Sequence, residues 1–290
     1  IRRAGLLARI YLRINVVGTG TPGTPNPLGI ASVIRRVRVV ANSGLELYSM
    51  SGPGYAYIGQ HMLEGETYPV TSQNQGTSAV AAGTFNLDMV IPIAVSMMDF
   101  TGLVLVQSEQ ILVTVQVDWE ADTVVGGAGW TYTGTCTPYV EFFSVPLDPA
   151  DAPPLNKAHV VLEEQRAVTG AGEYIYEPLR RPTYLQLAHG LGFGVAGADR
   201  ITTARVRIEQ SNYLFDGDIN LINMLWRYQK GYARPNGVWL YDWMASSGLG
   251  NYGGARDRIN TAAITSFESV FNATAAGQLY TIRRMLVDLA

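Results

Sequence analysis

Histidines and acidic residues are the side chains of this sequence most able to do chemistry. The histidines are His61, His159 and His189. A zinc site needs a set of further Cys, His or carboxylate ligands at metal-ligand spacing, and we identify no such set around these three isolated histidines. Glu163, Glu164 and Asp242 could be paired for hydrolysis, but their spacing favours ordinary surface charge. We therefore predict no metal site and no catalytic residue.

Two glycine-rich stretches match the pattern G-x-G-x-x-G, which binds the pyrophosphate of a dinucleotide in some folds. They are residues 18–23 and 192–197. The pattern functions only where its third glycine opens a helix. Prolines follow the first stretch, and the β-branched segment 201–208 follows the second. Both stretches are therefore predicted to be loops between strands, and we expect no cofactor.

Composition limits the partners that the chain can have. Of its 290 residues, 47% are apolar and 16% are charged, and the formal net charge is −3. Proteins that grip nucleic acid neutralise phosphates with an excess of basic side chains, so we expect no direct contact with nucleic acid. The only cysteine, Cys136, is predicted to pack as a small apolar side chain. No apolar run reaches the roughly 18–20 residues of a membrane-spanning helix.

β-Strand patterns dominate the first half of the chain. Residues 9–16 alternate polar and apolar side chains, as a half-buried strand does. Seven further strand candidates are 33–40, 45–50, 67–71, 85–95, 103–107, 111–119 and 139–145. Eight short strands separated by turn residues predict a jelly-roll β-barrel over residues 9–146. Four prolines between Pro146 and Pro154 then predict a semi-rigid linker at residues 147–156.

The second half repeats motifs of the first half, which predicts two tandem domains. Residues 11–14 (YLRI) are echoed by 184–187 (YLQL), and residues 36–39 (RVRV) by 205–208 (RVRI). We therefore predict an all-β protein whose second eight-stranded jelly roll covers residues 157–290. If the repeat is accidental, the alternative is one barrel with an added domain.

A single helix is predicted in the second domain, at residues 218–230. Its apolar face consists of Ile219, Ile222, Leu225 and Trp226. Asp216 or Asp218 can cap its start, and Gly231 suits its end. Such a helix either closes one end of a barrel or forms a groove for a partner.

The first residues form a separate prediction. Residues 1–8 precede the first predicted strand, and we expect an arm or a short helix there. On a helical wheel the arginines lie largely opposite the apolar residues, a pattern suited to an anionic membrane surface. The residues expected to contact a membrane or a neighbouring subunit are Arg2, Arg3, Leu6, Leu7 and Arg9.

With two eight-stranded copies, a proline-rich linker and a basic arm, the chain resembles the double jelly-roll major capsid proteins of the tectivirus–adenovirus lineage. Local stretches that carry the resemblance are 33–39, 99–107, 240–243 and 256–261. The resemblance implies a structural virion protein, found in bacteriophages among others, that is not an enzyme. It also implies pseudo-hexagonal homotrimers that tile an icosahedral shell. The arm would then reach an internal membrane or minor capsid proteins, and assembly would take place in the host cytoplasm.

Other functions remain open on the sequence alone. Jelly rolls also serve as lectins, so the chain could be a non-catalytic glycan-binding or host-attachment protein. An enzyme on a paired jelly roll would need convergent carboxylates, which the sequence does not reveal. The chain could also be the larger member of a capsid pair built from two single-barrel proteins.

Overall fold

The computed structural model describes residues 5–42, 44–63, 76–95, 101–106, 112–148, 153, 155–192, 199–209, 212–244 and 258–289. The chain forms two compact units. Unit 1 runs to Leu162 and includes the chain end from Asp288, and unit 2 runs from Glu163 to Val287. The division therefore falls inside a strand, after the predicted linker at 147–156. The first part of this strand belongs to unit 1 because Val161 pairs with Tyr48 there.

Strands account for most of unit 1. They are β1 (Leu6–Gly20), β2 (Ile34–Ala41), β3 (Leu45–Met50), β4 (Gly83–Pro92), β5 (Val104–Leu105), β6 (Val113–Trp119), β7 (Trp130–Phe143) and the start of β8 (Lys157–Val168). Short helices are α1 (Gly52–Gly54), α2 (Gln60–Met62) and α3 (Asp122–Val125), with a 3-10 helix at Gly29–Val33 and a π-helical turn at Tyr55–Gly59. The strand predicted at 67–71 lies outside the described residues.

Unit 2 contains the remaining strands and one longer helix. The strands are the end of β8, β9 (Gly172–Tyr176), β10 (Thr183–Leu191), β11 (Ile201–Ile208), β12 (Asn212–Asp218), β13 (Val238–Asp242), β14 (Ile259–Asn260), β15 (Phe267–Ala273) and β16 (Gly277–Asp288). The helix is α4 (Ile219–Lys230). Neighbouring strands pair in the order β13-β10-β16-β8 in one sheet and in the order β12-β11-β15-β9 in another.

The two units pair their strands by the same scheme, as expected for tandem jelly rolls. In unit 1, β1 lies between β4 and β7, and β2 lies between β3 and β6. In unit 2, β10 lies between β13 and β16, and β11 lies between β12 and β15. The two-residue strands β5 and β14 pair with the starts of β1 and β10. Six long strands of unit 1 therefore have counterparts in unit 2.

The irregularities in the ladders give the register in which the two units correspond. The β1–β7 ladder is irregular between Leu7 and Arg9, and the β10–β16 ladder between Tyr184 and Gln186. Leu7 therefore corresponds to Tyr184. The sequence echo, which matched Tyr11 to Tyr184, was four residues out of register, because alternating strands produce similar tetrapeptides at several offsets.

The second echo is also displaced. The β2–β6 ladder is irregular after Ile34, and the β11–β15 ladder after Ile201. Arg38 then corresponds to Arg205, whereas the echo matched Arg36 to Arg205. The duplication was predicted correctly, but from tetrapeptides that do not occupy equivalent positions.

The start of β1 differs from the prediction for the N-terminal residues. β1 begins at Leu6, so residues 6–8, expected in an arm, belong to the barrel. Gly5 precedes the strand with φ +76°, and a Cβ atom at this position would collide with the carbonyl oxygen of Phe143. Glycine alone adopts this conformation at little cost, which explains why the chain enters a strand here instead of continuing a helix. Residues 1–4 lie outside the described residues.

The helix prediction is confirmed. The Asp218 Oδ1 atom accepts hydrogen bonds from the backbone N–H groups of Asn220 and Leu221 at 3.0 and 2.9 Å, which caps the first turn of α4. Asp216 is instead paired with Arg205, at 2.9 Å. Gly231 ends the helix in the left-handed conformation, with φ 77°.

Candidate assembly surfaces

The sheet β4-β1-β7 has a buried inner face and an accessible outer face. Successive strand residues point to opposite faces. The inward residues of β1 are Ile10, Leu12, Ile14 and Val16, each at most 1% exposed. The outer face carries the alternate residues of β1, from Arg9 to Thr19, together with their neighbours on β4 and β7. This outer face is the first candidate surface for contact with other molecules.

The residues predicted to contact a membrane or another subunit have different positions in the structure. Leu6 and Leu7 are 3% and 0% exposed, so they are core residues of unit 1 with no surface to offer a partner. Their expected contact role is therefore corrected, because both side chains are buried inside unit 1, Leu6 in a cluster with Ala8 and Leu103. Arg9 lies on the outer face, and Arg2 and Arg3 lie outside the described residues.

Arg9 belongs to a compact cluster on the outer face. Its Nη1 atom donates to the Tyr11 hydroxyl at 3.3 Å, and its Cζ atom lies 5.9 Å from the centre of the Tyr11 ring. The Tyr11 hydroxyl donates to Glu141 Oε2 at 3.0 Å, and Arg9 Nε lies 4.0 Å from the same oxygen. Among the residues that the structure describes, the cluster therefore combines one cation and one anion, whose charges cancel locally.

The rest of the outer face is similarly neutral. Arg13 Nε lies 3.6 Å from Asp88 Oδ1 on β4. Asn15 Nδ2 donates to Asn86 Oδ1 at 3.0 Å. Four exposed threonines follow one another on β7, namely Thr131, Thr133, Thr135 and Thr137. Exposed ion pairs contribute at most about 1 kcal/mol to folding, so their main effect here is to leave a polar surface with little net charge.

A groove beside α4 is the second candidate surface. It has a volume of about 310 Å³. Its lining includes Phe215, Ile222, Trp226, Tyr228, Asp242 and Trp243. Trp226 is 3% exposed and anchors the helix, whereas Tyr228 is 77% exposed at the rim. The groove is thus mostly apolar with one acidic side chain, and that acid is paired with Lys230 at 3.2 Å.

His189 is a core residue and not a ligand or a base. It is fully buried in β10, and its ring nitrogens lie 3.0 Å from Thr281 Oγ1 and 2.8 Å from Ser269 Oγ. The rings of Tyr176 and Phe271 lie 5.6 and 5.3 Å away, centre to centre. Burial lowers the pKa of His189 from 6.5 to about 3, so the imidazole is neutral at physiological pH.

The acidic residues considered for hydrolysis each have a structural partner. Glu163 accepts a hydrogen bond from Gln165 at 2.6 Å, and Glu164 accepts one from the Tyr176 hydroxyl at 3.0 Å. The Asp242 carboxylate accepts a hydrogen bond from Gln186 at 2.7 Å. Within the described residues, no group of three His, Cys, Asp or Glu side chains is placed to hold a metal ion.

Two further observations concern Cys136 and the helices. Cys136 lies in β7 and is half-buried, which raises the pKa of its thiol. Among the described helices, none combines the length and the apolar character needed to cross a membrane.

Solved viral structures share the architecture of this chain. The major capsid protein of Sulfolobus turreted icosahedral virus is 12% identical and has a TM-score of 0.66, covering 99% of this chain and 90% of its own. The major capsid protein P2 of bacteriophage PM2 is 14% identical, with a TM-score of 0.54 and coverages of 98% and 90%. VP54 of PBCV-1 is 13% identical, with a TM-score of 0.62 and coverages of 100% and 89%.

Sequence comparison alone finds no relative. No family model matches the chain, and no curated protein sequence matches it. The likeness is therefore one of fold, and it extends over nearly the whole chain and over both units. Together with the shared pairing scheme of the two units, it shows that the chain has the double jelly-roll fold of these viral major capsid proteins.

Proposed function

We propose that the chain is a structural subunit of an icosahedral virus shell, with no catalytic role. The observation that carries this proposal is the match of both units at once to viral major capsid proteins, over 98% or more of the chain. Single jelly rolls occur in many kinds of protein. Two tandem jelly rolls with the same strand pairing narrow much further the classes of protein to which the chain can be compared.

The proposed assembly is a homotrimer. Three chains with two units each provide six similar units, which suits a pseudo-hexagonal tile of a shell. The outer face of β4-β1-β7 supports self-association, because its charges are paired within the subunit and would not repel the different surface that a neighbouring copy presents in a three-fold assembly. Its threonine, asparagine and tyrosine side chains can exchange hydrogen bonds with a similar polar surface.

The proposed location is the virion, after assembly in the host cytoplasm. Arg2 and Arg3 keep their proposed contact with an internal membrane or with minor capsid proteins. Arg9 contributes to the outer face and would contact a neighbouring subunit instead. A formal charge of −3 supports a shell that makes no direct contact with the genome.

The first test is the native mass of the purified protein by light scattering after size exclusion. We expect a stable species of three times 31.5 kDa, with hexagonal outlines in negative-stain electron microscopy. A monomer at every concentration would contradict the trimer. Saturable binding to a glycan array by that monomer would then favour the attachment role.

A pair of matched variants tests the outer face. Thr135→Arg introduces an unpaired positive charge there, and Thr274→Arg introduces the same charge at an exposed position of unit 2. We expect Thr135→Arg to shift the mass towards the monomer and Thr274→Arg to leave it unchanged. Equal trimer content in both variants would remove the outer face from the proposed interface.

A further inference from the structure

A β-bulge in β12 adds an apolar side chain to the groove beside α4. The register of the β11–β12 ladder shifts between Val206 and Arg207, which makes Leu214 the extra residue of the bulge. Consecutive residues of a regular strand point to opposite faces, whereas Leu214 and Phe215 both line the groove. Bulges commonly re-aim a side chain next to a functional site. The bulge in β12 therefore enlarges the apolar wall of the groove.

Two aromatic side chains of the groove can contact a ligand. Tyr228 is 77% exposed on the last turn of α4. Trp243 is partly buried, and its ring is stacked on that of Tyr241, with the centres 6.0 Å apart and an angle of 9° between the planes. The ring of Phe267 packs against Trp243 as well, at 6.4 Å. The groove thus offers an exposed tyrosine and a tryptophan held in place, both of which present a large rigid surface with a polar tip.

The acid of the groove already accepts several hydrogen bonds. Asp242 Oδ2 accepts from Gln186 Nε2 at 2.7 Å and from Lys230 Nζ at 3.2 Å. The Oδ1 atom accepts from the backbone N–H group of Met244 at 3.1 Å. A sugar brings many hydroxyl donors and would find this carboxylate engaged, whereas the exposed Gln229 amide in the lining can itself donate. A ligand rich in acceptors and poor in donors therefore fits better, and a proline-containing main chain has this chemistry because proline has no N–H group.

Unit 1 carries a segment whose chemistry matches this groove. Residues 145–149 read VPLDP, and the structure describes them up to Asp148. Leu147 is fully exposed, although leucine is among the residue types most often buried. Pro146 and Pro149 stand three residues apart in the sequence, which is one turn of a polyproline helix, so both can contact one surface. Such segments dock in aromatic-lined grooves because proline fixes their extended shape before binding.

We propose that the groove beside α4 binds segment 145–149 of a second copy of this chain, with Leu147 and the prolines against the aromatic side chains of the groove. The proposal rests on the proposed self-association and names one of its contacts. The groove and the segment are different surfaces, so the contact between two copies is heterologous. Heterologous contacts close into a ring under a three-fold rotation, which is the symmetry of the proposed trimer.

The first experiment titrates a synthetic peptide of residues 144–155 into the full chain carrying Leu147→Ser, whose own segment is thereby weakened as a competitor. Binding is followed by isothermal titration calorimetry. We expect saturable binding whose affinity falls roughly tenfold or more when the chain also carries Tyr228→Ala, or when the peptide itself carries Leu147→Ser. Tyr213→Ala in the chain is the matched control and should leave the affinity unchanged, because Tyr213 is 52% exposed on β12 but lies outside the groove lining.

The second experiment measures self-association by analytical ultracentrifugation for Leu147→Ser, for Tyr228→Ala and for the variant with both changes. We expect each single change to weaken association roughly tenfold or more. The double change should weaken it little further, because both changes remove the same contact. Leu179→Ser is the matched control, at another leucine that is 58% exposed, and should leave association unchanged.

The outcomes that would overturn the proposal differ from one another. A trimer that forms equally well in every variant, without peptide binding, would remove this contact and leave the proposed function standing. Peptide binding together with a trimer that Leu147→Ser leaves intact would assign the segment to its own chain. Glycan binding that Tyr228→Ala abolishes, without peptide binding, would identify a sugar as the occupant. A monomer at every concentration would contradict the proposed trimer and this contact together, even if the groove still bound the peptide.

Discussion

Acid should destabilise unit 2 through His189. Burial places the pKa of this imidazole at about 3 in the folded protein, against 6.5 for an ordinary histidine. The unfolded chain therefore binds a proton below pH 6.5 that the folded chain refuses, so stability is fully present above pH 6.5 and is lost as the pH falls towards 3. Between pH 7 and pH 4.5 this one group should lower the free energy of unfolding by about 2–3 kcal/mol.

The assay is urea unfolding at the two pH values, followed by tryptophan fluorescence, for the native protein and for His189→Gln. The variant loses the packing of the ring, so it should be less stable at pH 7 by about 1–3 kcal/mol. On acidification it should then lose about 2–3 kcal/mol less of its free energy of unfolding than the native protein does, because glutamine does not titrate. Carboxylates titrate in both proteins and cancel in this difference.

His61→Gln is the matched control, since His61 is only partly buried, on α2. An equal loss on acidification in the native protein and in His189→Gln would refute the reasoning. It would mean that the His189 ring becomes protonated in the folded state, with Ser269 and Thr281 supplying acceptors to both nitrogens.

Other predictions concern the core, the helix and the assembly. Leu7→Ala should lower the free energy of unfolding, measured with urea, by about 2–5 kcal/mol, whereas the same change at an exposed arm residue would have little effect. Trp226→Ala should cost about 3–5 kcal/mol, and Tyr228→Ala on the same helix less than about 0.5 kcal/mol; equal melting curves would mean that α4 packs loosely. Asp218→Ala should lower the free energy of unfolding, measured by thermal denaturation, by about 1 kcal/mol, and Asp216→Ala should lower it by less. The mass of the proposed trimer should change little between low and high salt, because the charges described on the outer face are paired; dissociation in high salt would point to an interface held by charge.

α4 could be located from the sequence because its signals are local. Fourteen residues contain all three signals, which are the apolar spacing, the Asp218 cap and the terminal Gly231. Each of them belongs to the helix itself or to one of its ends. The jelly-roll class could likewise be predicted from the number of alternating strands. Neither inference required knowledge of which strand pairs with which.

Register and strand starts required pairing information. Leu6 and Leu7 suit an amphipathic helix as well as a strand, and only the ladders to β5 and β7 decide between the two. Gly5 was the useful signal, because a positive φ at that position interrupts any helix. The tetrapeptide echoes failed in register for the same reason, since period-two patterns match each other at every even offset.

Burial was the hardest property to predict, because it depends on neighbouring strands more than on a strand's own residues. β7 and β16 occupy the same position in the two pairing schemes. The residues of β16 are mostly buried, and those of β7 are mostly exposed. Inward Val140 on β7 is as apolar as any core residue, so its exposure of 37% could not be predicted from its own side chain.

The same comparison separates two kinds of exposed surface in unit 1. On β7, the inward side chains of Cys136 and Val140 remain partly exposed, which is unfavourable for apolar groups in water. On the outer face, Arg9 with Glu141 and Arg13 with Asp88 satisfy one another within the subunit. That surface is stable in water and also loses little when another copy covers it. The proposed role as a shell subunit requires both properties, since such a subunit must fold alone before it assembles.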